Sequence, residues 1–114
     1  MRILPGLFCL CAVIAVTPLR AQFEYGAILG TVRDASGAVV SGAMVTVLGL
    51  NTNVQVSALT NDQGNYSFPD LRSGNYEVAT YFKGFRPAKS DARLLRVGDR
   101  LRMDLTLQPA RSTR

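Results

Sequence analysis

Side chains that ordinarily perform catalysis are sparse in this chain. Its 114 residues include no histidine and no tryptophan, so the commonest general base and the commonest metal ligand are missing. Without histidine, an ordinary Ser–His–Asp arrangement cannot be assembled. The carboxylates Asp34, Asp62, Asp70, Asp91, Asp99 and Asp104 fall mostly at turns, strand ends or polar faces. The richest oxygen cluster is Asp62 with Asn61 and Asn65. Calcium takes six to eight oxygens, usually with several carboxylates, and a polar hairpin loop accounts for these three residues fully. The reading is therefore no catalytic residue, no metal and no cofactor. What remains are groups that bind. Tyr81 alternates out of phase with Tyr76 and Val78, so its ring faces solvent and can stack on a sugar, with Asn61 and Asp62 as polar companions. These three are the candidate ligand-facing residues.

The N-terminus reads as a signal peptide. Arg2 precedes an apolar run from Ile3 to Val16, and a cleavage region from Thr17 to Ala21 follows. The run is roughly 14 residues, short of the ~20 that a membrane-spanning helix needs. Cleavage after Ala21 would remove both cysteines, Cys9 and Cys11, and with them any disulfide or thiolate chemistry. It would also remove Arg2 and Arg20, lowering the formal charge from +5 to +3. The mature chain then has no transmembrane span, and the compartment is the periplasm, the outer membrane or the exterior.

The remaining positive excess lies late, in Lys83, Arg86, Lys89, Arg93, Arg96, Arg100 and Arg102, with Arg111 and Arg114 at the tail, and Asp91, Asp99 and Asp104 are interleaved with them. Such a stretch either attracts anionic polysaccharide or headgroups, or guards strand edges against aggregation, and the second reading is favoured. No aromatic residues are spaced through it as a nucleic-acid stacking platform requires, so nucleic acid is not an expected partner.

These residues must be positioned by strands, because from Gly26 onward the dominant period is two. Ile28 and Val32 share one face, as do Val45 and Val47, Val56 and Ala58, Tyr66 and Phe68, and Tyr76 and Val78; Leu101, Met103, Leu105 and Leu107 form the clearest alternation. Turns at Asp34–Gly37, Thr60–Asn65, Arg72–Gly74, Lys83–Gly84 and Gly98–Asp99 separate them. Pro69 places its strand at an edge or ends it, and Pro109 stops the last strand. The segment 85–97 carries one expected strand, near Arg93 to Val97. The predicted fold is all-β, an antiparallel sandwich of about seven strands over residues 26–108. A signal peptide (1–21) and a short lead (22–25) precede it, and a disordered tail (109–114) follows. Its predicted core is Ile28, Val32, Val45, Val47, Val56, Phe68, Tyr76, Val78, Leu105 and Leu107.

Two phrases carry a resemblance: Gly30-x-Val32-x-Asp34-x-x-Gly37 followed by Gly42-Ala43-x-Val45-x-Val47, and Thr60-x-x-x-Gly64-x-Tyr66-x-Phe68-x-x-Leu71-x-x-Gly74-x-Tyr76-x-Val78 followed by Gly84-Phe85. In this order they resemble the carboxypeptidase regulatory-like domain. The resemblance implies a prealbumin-like sandwich, grouped with transthyretin, collagen-adhesin B-type repeats and carbohydrate-binding-like domains. It also implies a bacterial source and a place near the N-terminus of TonB-dependent outer-membrane receptors, of which this chain would be a standalone or truncated relative. Transthyretin-like hydrolases rely on histidines, which are absent here. A Lys–Asn crosslink of the adhesin type needs a lysine on an early strand, and the only lysines are Lys83 and Lys89. The expected function is a non-catalytic interaction or structural module, with a protein of the cell envelope or a polysaccharide as partner. A carbohydrate-binding module is the alternative.

Overall fold

A computed structural model describes residues 24–110. The apolar run, the cleavage region and the last four residues lie outside the described residues. Within them every regular element is a strand: β1 (Tyr25–Asp34), β2 (Met44–Gly49), β3 (Gln55–Leu59), β4 (Asn65–Arg72), β5 (Gly74–Tyr81), β6 (Phe85–Arg86), β7 (Ala88–Lys89), β8 (Arg93–Leu95), β9 (Arg100–Arg102) and β10 (Leu105–Pro109). The count exceeds the expected seven because the segment 85–97 makes three short strands rather than one, and the last alternation is broken in two at Met103–Asp104.

The strands form two sheets. One runs β4-β1-β10-β6, with β9 also on β1; the other runs β3-β2-β5-β7, with β8 also on β5. Most pairings are antiparallel, as the short turns require. Two are parallel, β1 with β9 and β1 with β10, because the chain returns to its first strand by way of the other sheet. Alternation within a strand does not specify the direction of its neighbour.

Between the sheets lies the core, from Ile28 and Val32 across to Val45, Val47 and Val78, closed by Leu95, Met103, Leu105 and Leu107. Nine of the ten predicted core positions are buried there. Val56 is the exception, 40% exposed. It has the inward phase, opposite Val47, but β3 is the outermost strand of its sheet and overhangs the other sheet.

Two local devices shape the first sheet. Pro69 sits inside β4, which is an edge strand, so its missing N–H breaks no second ladder. Beside it the β1–β4 register slips between Gly26 and Ile28, and Asp70 takes a left-handed backbone with φ 74°. The second device lies where β1 changes partner from β9 to β10. There the Thr31 N–H donates to Asp104 Oδ1 at 2.8 Å, a side chain standing in for the missing ladder bond. The Thr31 hydroxyl donates to Asn65 Oδ1 at 2.6 Å and accepts from Arg102 Nη2 at 2.9 Å. Just beneath, Tyr66 donates its phenolic hydrogen to the Met103 carbonyl. Burial raises the Tyr66 pKa well above its ordinary value.

Candidate functional site

The overhang of β3 creates a cleft. Its roof is the end of the second sheet, with Val47 and Gly49 from β2, Val56 from β3 and Tyr76 from β5. Its floor is the edge of the first sheet, Asp70, Leu71 and Arg72 of β4, with Tyr25 of β1. Asn51, Thr52 and Val54, from the turn between β2 and β3, close one end. The volume is about 410 Å³, the size of an ordinary small-ligand or side-chain pocket. Most of the wall is apolar: Val54 and Val56 are 56% and 40% exposed, uncommon for valines on an inward face.

The polar groups around the cleft are largely used to hold it open. Tyr76 donates its hydroxyl hydrogen to the Arg72 carbonyl at 2.6 Å, which ties the roof to the floor and turns the ring, not the hydroxyl, toward the space. Burial raises the Tyr76 pKa. Asn51 Oδ1 accepts the Asn75 N–H at 2.8 Å, bracing the turn against β5. The Arg72 guanidinium lies 5.9 Å from the centre of the Tyr25 ring and 3.9 Å from Glu24. Two residues with left-handed backbones, Asn53 (φ 62°) and Asp70 (φ 74°), stand beside the cleft or in its wall. Among the described residues, Asp70 is the one carboxylate in the wall.

The predicted ligand-facing residues lie elsewhere. Tyr81 is 52% exposed on the outer face of the second sheet, in a cross-strand row with Met44 and Leu59, both also exposed. Asn61 and Asp62 are in the loop from β3 to β4. Asn61 Oδ1 accepts from the N–H groups of Gln63 and Asn65, each at 2.9 Å, so its oxygen shapes the loop. Asp62 is exposed on the same loop. None of the three lines the cleft. Among the described residues no three His, Cys, Asp or Glu side chains come together. The late basic residues lie mainly on the short outer strands: Arg86 on β6, Lys89 on β7, Arg93 on β8, Arg100 and Arg102 on β9. Lys89 pairs with Glu77 at 3.6 Å and Arg102 with Asp104 at 3.3 Å. The cleft itself was missed from sequence. Its available signal was the run Val54–Thr60, which has two inward valines and no charge.

Comparison with known proteins places this geometry. The fold is shared with the minor pilin of Streptococcus agalactiae, with a TM-score of 0.66 at 10% identity over 81% of this chain and 48% of that one. It is also shared with a candidate carbohydrate binding protein from Bacteroides uniformis, with a TM-score of 0.59 at 20% identity over 75% of this chain and 42% of that one. Enzymes adopt the same sandwich, so the fold alone does not decide catalysis. In sequence, the chain is 32% identical over 83 residues to the TonB-dependent transporter Oar of Myxococcus xanthus, which covers 72% of this chain and 8% of that protein. Residues 27–108, from within β1 to within β10, match the carboxypeptidase regulatory-like domain, and the chain belongs to that family.

Proposed function

We propose that this domain is a non-catalytic interaction module, exported to the cell envelope or beyond, and that the cleft between β3 and β4 is its contact site. One observation carries the reading: a mostly apolar cleft framed by two sheet edges, with a single carboxylate and no base among the described residues of its wall. Such a site gains free energy by covering exposed valines, roughly 25 cal/mol per Å² of apolar surface, and has no evident means of bond cleavage. Likeness to a TonB-dependent transporter and to a pilin supports an envelope setting. The test is a photoreactive residue placed at Val56, with the same residue at Ser36 as a control on the Asp34–Gly37 turn. Irradiated cells should yield a discrete protein adduct from position 56 alone. Turnover of a peptide, ester or glycoside substrate that disappears in Asp70→Asn would overturn the non-catalytic reading.

A specific observation favours one other reading, a carbohydrate-binding module. The row Tyr81–Met44–Leu59 offers an exposed ring flanked by apolar side chains, a surface suited to stacking on a sugar face. Glycan-array binding that is lost in Tyr81→Ala would establish it.

A further inference from the structure

Strands that flank the two sheets carry guards against pairing with another chain. β4 has Pro69 and the left-handed Asp70, β6 has Arg86, β7 has Lys89, β8 has Arg93 and β9 has Arg100. Charges, prolines and bulges at such places are the usual protection of a bare edge. β3 differs. It reads Gln55-Val56-Ser57-Ala58-Leu59, with no charge, no proline, no glycine and no bulge in its five-residue register with β2.

Its backbone is also available. The Gly49 N–H donates to the Val54 carbonyl at one end of the β2–β3 ladder, and the Thr60 N–H donates to the Ala43 carbonyl at the other. In an antiparallel ladder bonded and non-bonded pairs alternate, so Val56 and Ala58 bond to β2 while the N–H and C=O groups of Gln55, Ser57 and Leu59 point away from the sheet. Among the described residues none of these backbone groups has another partner. Val56 of the same strand forms part of the exposed roof of the cleft, and Val54, just before the strand, closes its end.

Donors and acceptors repeating about every 7 Å along a line are matched by another extended backbone and not by a sugar or a lipid headgroup. We propose that β3 accepts an extended peptide segment of a partner protein. The segment is uncharged over about five residues, with apolar residues alternating with polar ones. It adds as a strand beside β3 and places its inward side chains in the cleft beside Val54 and Val56. The inference rests on the interaction reading above and supplies the chemistry of the partner. A second copy of this chain is disfavoured as the occupant. Its own β4, with Pro69 and the bulge at Asp70, would be carried up against the same strand here, whereas a lone segment brings no second layer.

The probe is a capped peptide, Thr-Val-Thr-Val-Thr flanked by lysines, added to the full exported chain labelled with nitrogen-15. Chemical-shift changes and slowed amide exchange should centre on Gln55, Ser57 and Leu59. Two further peptides, N-methylated on alternate sets of amides, separate backbone pairing from side-chain stickiness. One set faces β3 and the other faces solvent, so their affinities should differ by about tenfold or more, the value of one or two lost hydrogen bonds. Ser57→Pro removes an outward N–H without touching the β2 ladder and should abolish binding. If that variant does not fold, the methylated pair still decides. Equal binding by both methylated peptides overturns strand addition, as do shifts centred on Tyr81, or a free chain that sediments as a dimer with those three amides already protected. Each of these would leave the adduct at Val56, and so the broader reading, standing. Loss of that adduct in cells counts against the broader reading itself.

Discussion

Gly30→Ala should be among the costliest single-methyl additions to this domain. Gly30 lies opposite Tyr66 on β4, at the point where β1 exchanges β9 for β10. A Cβ built there falls on the Met103 carbonyl oxygen and comes within 2.8 Å of the Tyr66 hydroxyl. The obstacle is backbone, held by the Met103 N–H bond to the Leu29 carbonyl at 2.8 Å, so it cannot swing aside as a flexible side chain would. Overpacking of this kind costs about 1–3 kcal/mol, and displacing Tyr66 from the Met103 carbonyl adds about 1 kcal/mol. Replacing glycine in a strand returns roughly 0.5–1 kcal/mol of backbone entropy. The net loss is about 2 kcal/mol, a large share of a small domain's stability. With a urea dependence of about 1 kcal/mol per molar, the midpoint falls by about 2 M. Gly37→Ala is the control: its φ is +94°, but a Cβ there meets nothing within 4 Å, so only the left-handed backbone penalty of about 1–2 kcal/mol applies. Combining Gly30→Ala with Tyr66→Phe should cost about 1 kcal/mol less than the sum, because both remove the same hydrogen bond. A wild-type midpoint for Gly30→Ala, or strict additivity in the cycle, would refute this account.

Three further outcomes are expected. Val78→Ala should lose about 2–4 kcal/mol in urea titrations and Val56→Ala less than about 1 kcal/mol, since Val78 is fully buried and Val56 is 40% exposed; equal losses would remove the basis for the cleft. The buried Tyr66 phenol has a raised pKa, so the folded state favours its neutral form. The stability this contributes is whole below the unfolded tyrosine value of about 10 and is lost as pH climbs beyond it; urea midpoints should therefore fall between pH 9 and 11, and fall less in Tyr66→Phe. Mass spectrometry of the exported chain should find Gln22 at its front, and a mature product that keeps Cys9 would contradict the signal-peptide reading.

Much of the fold was legible because a strand's side chains alternate and a half-buried strand must be apolar on one side. That rule placed Ile28, Val32, Val45, Val47, Val78, Leu105 and Leu107 inside. It also put Val56 inside, because phase gives the direction of a side chain and not the extent of the layer beneath it. Leu95 escaped notice because the segment 85–97 is broken into strands of two or three residues, too short to display a period. The parallel neighbours of β1 were hidden for a different reason: pairing across some 70 positions leaves no local trace. The cleft combines both difficulties, since Val54–Val56 and Asp70–Arg72 meet only in three dimensions. Tyr81, the candidate ligand-facing tyrosine, is exposed on the outer face of the second sheet and does not line the cleft.

The parallel pairing of β1 with β10 has a mechanical consequence. The first and last strands of the domain lie side by side, with Val32 beside Leu105 and Asp34 beside Leu107. Tension applied through the two ends of the domain pulls β1 from its start and β10 from its finish. Because the two run in the same direction, the load is a shear along their shared ladder rather than a peeling from one end. Hydrogen bonds loaded in shear must yield together, whereas peeled bonds yield one at a time. Asp104, bonded to Thr31 at the head of that ladder, would share the first load. A domain clamped in this way resists force through its unfolding barrier rather than its equilibrium stability, and it can hold as a stiff link between whatever is attached to its two ends.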